Sequence, residues 1–161
     1  MKGDHLTGLP QKGYVSRNLW TGILFGIGLA AFLDEVIFHQ LLGWHFFYDR
    51  STTRIGIISD GFFHAFSWVA TVGSLFIVAD LRRRNAWWPT RWIGGALVGL
   101  GGFNLYDGIV QHKIMGIHQV RYDTDNLLIY DIGWNLTAII ILTVGIIVLL
   151  QTRKRVKGRI G

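Results

Sequence analysis

The chain has 161 residues, of which half are hydrophobic and only 16% are charged, compared with about a quarter in soluble domains. This composition excludes a soluble globular domain, and the lack of cysteine excludes disulfides and thiolate metal ligands. The net charge of +6 does not indicate a nucleic-acid partner, because most basic residues flank apolar segments.

Four apolar segments are predicted in chain order at about 19–42, 56–80, 92–116 and 127–150. Each is long enough to cross a bilayer as a helix of about 20 residues. The first is expected to be retained as a span, because no signal-peptide cleavage pattern follows it. Little chain remains outside these segments. We therefore predict one integral membrane domain over residues 1–161, an all-α four-helix transmembrane bundle surrounded by the lipid bilayer.

The basic residues indicate the orientation of this bundle. Twelve of the 16 precede the first segment, lie between the second and third, or follow the fourth. These are Lys2, Lys12, Arg17, Arg82, Arg83, Arg84, Arg91, Arg153, Lys154, Arg155, Lys157 and Arg159. The positive-inside rule then predicts a multi-pass protein of the plasma (inner) membrane with both termini in the cytoplasm.

The first and third segments repeat each other at a constant offset of 73 residues. The matched pairs include Gly22 and Gly95, Gly26 and Gly99, Asp34 and Asp107, His39 and His112, Gly43 and Gly116, and His45 and His118. This match predicts two tandem two-helix repeats, about 19–81 and 92–152, in the same orientation. The paired Gly-x3-Gly motifs predict a close crossing of the first and third helices, and the later glycines are expected to end those helices.

Carboxylates and histidines concentrate at the helix ends that carry few basic residues. Ionisable groups at membrane depth are costly unless they pair or bind something. The predicted metal ligands are Glu35, His39, Asp60, His64, His112 and Asp131, with His45 and His118 as lids or further ligands. Asp34 and His39 are five residues apart, about 140° around an ideal helix. Asp34 and Asp107 are therefore predicted to orient histidines, unless the helix is distorted.

Imidazole and carboxylate groups suit zinc, iron, manganese or Cu(II), so the sequence predicts a transition metal (Zn, Cu or Fe) bound at the outer face. One alternative is a b-type haem (haem b) with His39 and His112 as axial ligands. Another is a structural or assembly subunit without a cofactor. Proton conduction is disfavoured, because the acidic residues do not continue across the membrane. Enzymatic activity stays open, since a metal with an open position can activate water.

Three motifs resemble those of a family of small four-helix bacterial membrane proteins known only as a domain of unknown function. They are D-E-V-x-F-H-Q-x-L-x-W-H at 34–45, S-D-G-x-F-H at 59–64 and Y-D-G-x-x-Q-H-K at 106–113. The resemblance covers nearly the whole chain and implies four spans in a bacterial plasma membrane. Members of the family that this chain resembles are often encoded near genes resembling those of cytochrome oxidase assembly proteins. The resemblance thus implies copper or haem handling in respiratory oxidase assembly, with oxidase assembly proteins as partners.

Overall fold

The structure, a computed structural model, describes residues 12–157 and the side chains of residues 13–153. Part of the basic set used to predict the orientation lies outside the described residues or side chains. This part comprises Lys2, Lys12, Lys154, Arg155, Lys157 and Arg159.

Four α-helices make up the described chain: α1 (Lys12–Asp34), α2 (Thr53–Arg83), α3 (Pro89–Tyr106) and α4 (Leu127–Lys157). Two of them continue as π-helices, α1 through the first π segment (Glu35–Leu41) and α3 through the second π segment (Asp107–Met115). The four resulting spans, each of 27 to 31 residues, are apolar enough to cross a membrane. The predicted all-α transmembrane fold is therefore confirmed.

Glycines set how closely α1 and α3 approach each other. A Cβ on Gly26 would overlap the carbonyl oxygen of Ala96, and a Cβ on Gly99 would overlap that of Ile23. Only a residue without a side chain permits this backbone contact, as in small-x3-small packing of membrane helices. The close crossing predicted from the two Gly-x3-Gly motifs is confirmed.

The other two helices pack on the outside of this central pair. Gly28 of α1 faces Thr71 of α2, and Gly101 of α3 faces Leu142 of α4, again at distances that leave no room for a Cβ. The central helices α1 and α3 thus carry the two π segments side by side at one end of the bundle.

The two ends of the bundle differ in character. At the end formed by the start of α1 and the turn between α2 and α3, the Arg91 guanidinium donates to the Val15 carbonyl at 2.9 Å. The opposite end, which we call the histidine end, is formed by the loops 42–52 and 116–126. Gly43 (φ 58°) and Gly116 (φ 56°) begin these loops in the left-handed conformation, which glycine adopts without strain. Both lie where the sequence predicts the helix ends.

Candidate metal centre

Each π segment brings an aspartate and the histidine five residues later to the same side of the helix. These positions lie about 140° apart in an α-helix, whereas the i→i+5 hydrogen bonds of a π-helix align them. Asp34 Oδ2 lies 3.7 Å from His39 Nε2, and Asp107 Oδ2 lies 3.0 Å from His112 Nε2. The helix distortion that brings aspartate and histidine face to face is thus present twice, and such π turns occur frequently at functional sites.

Each loop of the histidine end contributes one histidine, and each of these histidines is hydrogen-bonded to a backbone carbonyl of the other loop. His45 Nδ1 lies 2.9 Å from the Val120 carbonyl oxygen, and His118 Nδ1 lies 2.8 Å from the Phe47 carbonyl oxygen. A carbonyl only accepts, so both Nδ1 atoms carry a proton and donate it. Burial holds the pKa of His45 well below its ordinary value, which keeps its imidazole neutral. This tautomer leaves the Nε2 lone pair free to bind a metal.

These side chains form two triads whose possible ligand atoms lie within 4.8 Å of one another. The first triad is Asp34, His39 and His45, and the second triad is Asp107, His112 and His118. They meet at the two loop histidines, whose parallel rings stack with centroids 4.7 Å apart. All six residues are at most 5% exposed. The two triads therefore make one continuous buried cluster.

The atoms that face each other in this cluster lack hydrogen-bond partners. Among the described residues, none donates to or accepts from Nε2 of His39, His45, His112 or His118, nor does any partner Asp34 Oδ1 or Asp107 Oδ2. The close contact between Asp107 and His112 does not have the geometry of a hydrogen bond. A buried polar atom left without a partner costs about 1–3 kcal/mol. Bound cations would satisfy the four Nε2 atoms and Asp107 Oδ2 together.

The charge of the cluster also favours cations. Four buried carboxylates meet here: Asp34, Glu35, Asp60 and Asp107, each at most 3% exposed. Within residues 13–153, their only ion-pair partners are histidines, and no lysine or arginine lies within 4.0 Å of them. A buried carboxylate requires a cation, a proton or several hydrogen bonds to offset its lost hydration.

A third group, Glu35, His39 and Asp60, places two carboxylates beside the other ring nitrogen of His39, and Asp60 forms the hydrogen bond to it. Glu35 Oε2 lies 2.9 Å and Asp60 Oδ1 3.1 Å from His39 Nδ1. Both carboxylates are fixed in turn, Glu35 by the Gln40 side chain at 2.7 Å and Asp60 by the Phe47 backbone N–H at 2.7 Å. A carboxylate behind a metal-binding histidine fixes the ring orientation and makes the ligand more basic.

The second triad lacks this support. Within the described chain, His112 Nδ1 has no hydrogen-bond partner. The position that matches Glu35 in the sequence repeat is Gly108, where a Cβ would lie 2.7 Å from the side-chain oxygen of Asn135. Asp131, the residue aligned with Asp60, instead pairs with Lys113, whose Nζ lies 2.6 Å from Asp131 Oδ2. The two halves of the cluster are therefore chemically different.

The structure brings together most of the residues predicted from the sequence, but not all. His64 is exposed on α2 and lies beside the Phe32 ring. The buried face of α2 contains Asp60 and Phe63, and His64 lies outside that face. Asp131 is likewise outside both triads. Asp34 and Asp107, predicted to orient histidines, face the Nε2 atoms directly. Sequence reasoning gave no role to the carbonyls of Phe47 and Val120.

Fold and site together define a small helical membrane protein with a buried histidine and carboxylate cluster at one end. Residues 21–152 match the family described as predicted membrane protein (DUF2243), and the chain belongs to that family. This match covers the four spans almost completely. No curated protein and no solved structure is significantly similar to the chain.

Proposed function

We propose that this protein binds two transition-metal ions, one at each triad. The observation that carries the proposal is the convergence of four buried histidine Nε2 atoms on two aspartates. None of these four atoms has a hydrogen-bond partner within residues 13–153. Each triad offers two imidazoles and one carboxylate. This donor set suits zinc, iron, manganese or Cu(II), and the four buried carboxylates match the charge of two divalent ions.

In this proposal, four carboxylates take roles different from those predicted from the sequence. Asp34 and Asp107 bind the ions directly, because they face the same histidine nitrogens that bind them. Glu35 and Asp60 orient His39, because they contact its opposite nitrogen. Three protein donors at each ion leave room for a water or another exchangeable ligand, as in metal sites that are not purely structural.

Reciprocal contacts also support a duplicated origin for the centre. In the sequence repeat, His45 matches His118 and Phe47 matches Val120. The hydrogen bond from His45 to Val120 and the one from His118 to Phe47 are therefore equivalent contacts of the two halves. We infer that the two triads descend from one two-helix unit. The two positions then diverged: Gly108 stands where Glu35 would be, and Asp131 pairs with Lys113 instead of facing His112.

The contacts among the histidines argue against the haem alternative. His45 lies with its ring centroid 4.5 Å from that of His39 and 6.2 Å from that of His112. His118 also lies between these two histidines, with its ring centroid 4.7 Å from that of His112 and 6.3 Å from that of His39. A porphyrin between His39 and His112 would have to displace both loop histidines.

We further propose that the histidine end faces outwards from the plasma membrane, as the distribution of basic residues predicts. The protein would handle metal ions there in support of respiratory oxidase assembly. The orientation rests on charge placement, and the assembly role rests on the family resemblance.

The test is the metal content of detergent-purified protein, with matched histidine variants. We expect about two equivalents of metal in the unaltered chain after reconstitution, and loss of metal in the double variant His39→Ala/His112→Ala. His64→Ala is the control, because this histidine is exposed and outside both triads. Circular dichroism would confirm that each variant is helical. A lack of metal in the unaltered chain, or equal loss in the control, would favour a subunit whose polar cluster only holds the bundle together.

A further inference from the structure

A groove of about 470 Å³ opens between α1 and α4, with Leu100 of α3 at its base. Leu33 of α1, Ile37 of the first π segment, and Ile129 and Gly133 of α4 line it and are exposed. In a protein that spans a membrane, this face contacts the hydrocarbon of the bilayer. The volume lies within the range of sites that hold small molecules, about 300–1,000 Å³.

The inner end of this groove is polar and reaches the metal centre. Asp34 of the first triad lines it, is 3% exposed, and has an Oδ1 atom without a hydrogen-bond partner in the described chain. A carboxylate has two oxygens, so one remains an acceptor when the other binds an ion. A second groove, of about 390 Å³ between α2 and α3, is lined by no residue of either triad.

Aromatic side chains form one wall of the groove. Phe38 lies with its ring centroid 5.2 Å from both Trp44 and Trp134, and Trp44 lies 5.5 Å from Tyr130. Such a wall favours a flat ring, because aromatic rings gain from stacked and edge contacts beyond the area they bury. A saturated acyl chain would lack these ring–ring contacts.

The inner end and the outer rim of the groove differ in chemistry, and together they indicate which class of ligand binds. An unpartnered carboxylate oxygen only accepts, so it calls for an O–H or N–H donor. The ionised phosphate of a phospholipid has no such donor. The exposed apolar rim calls for an alkyl tail that stays in the bilayer. We propose that the groove binds a long-chain hydroquinone from the membrane, with the ring against the aromatic wall and a ring hydroxyl donating to Asp34.

The experiment uses the full chain in phosphatidylcholine nanodiscs and the probe decylhydroquinone, kept anaerobic and titrated by calorimetry against empty nanodiscs. The test variant is Gly133→Leu, because Gly133 lines the groove and a Cβ there meets no atom within 4 Å. The matched control is Gly61→Leu, at an equally open glycine of α2 that does not line the groove. Neither position belongs to a triad, so metal content measured on the same samples separates failure of this proposal from failure of the metal centre.

We expect saturable binding of one decylhydroquinone per chain, weakened at least tenfold by Gly133→Leu and unchanged by Gly61→Leu. The dimethyl ether of the probe, which has no donor, should bind at least tenfold more weakly. Equal binding of the ether, equal effects of the two leucine variants, or displacement of the probe by phosphatidylglycerol would overturn the proposal. The last result would identify the groove as a phospholipid site.

Discussion

The two carboxylates behind His39 allow the proposed metal centre to be weakened without removing a ligand. We expect Glu35→Gln and Asp60→Asn each to lower metal affinity, because each removes one negative charge that faces His39 Nδ1, at 2.9 and 3.1 Å. Losing such a partner typically costs 10–100-fold in affinity, or about 1.4–2.7 kcal/mol. Each single change leaves the other carboxylate in place, so we expect about tenfold for each variant and about 100-fold for both together.

A competition titration with a fluorescent zinc chelator measures this effect in detergent. Only one of the two ions should be weakened, since His112 has no carboxylate at its Nδ1. The matched control is Asp131→Asn, which removes the residue aligned with Asp60 but paired with Lys113. The reasoning is refuted if Asp131→Asn weakens binding as much as Asp60→Asn, or if the double variant binds like the unaltered chain.

Two further predictions concern the fold and the orientation. Gly99→Ala should destabilise the bundle by about 1–3 kcal/mol, because its Cβ would overlap the backbone of α1. Gly61→Ala is the control, because its Cβ would meet open space and should not change the stability. Denaturation in detergent distinguishes the two variants. Because the chain has no cysteine, single cysteines report the topology: a membrane-impermeant maleimide should label Asn126→Cys in intact cells but not Thr90→Cys, and the opposite pattern would reverse the orientation.

The fold follows largely from composition, which is why the sequence predicts it well. Four long apolar segments leave few alternatives to a helical bundle, and the close crossing at Gly26 and Gly99 follows from the small-x3-small pattern. The helix ends at Gly43 and Gly116 follow from the conformational freedom of glycine. The tandem duplication and the cytoplasmic location of the termini stay predictions.

The site is harder to predict, because its geometry depends on a helix distortion and on the rotation of α2. Two residues five apart, such as Asp34 and His39, point to different sides of an α-helix but to the same side of a π-helix. The same spacing recurs from Asp107 to His112, and this repetition is the sequence feature that indicates a π-helix in both segments. His64 follows Asp60 by four residues, but the packing of Phe63 against the core turns His64 outwards. Spacing within one helix does not determine that rotation.

The most direct test of the metal centre is X-ray absorption spectroscopy at the metal edge of the reconstituted, detergent-purified protein. We predict a first shell of nitrogen and oxygen only, with the outer-shell scattering of about two imidazoles per ion. In a variant with both His45 and His118 changed to alanine, each triad keeps one histidine, so this scattering should fall to at most one imidazole per bound ion. A porphyrin scattering pattern, or a spectrum without imidazole that does not change in this variant, would contradict the account.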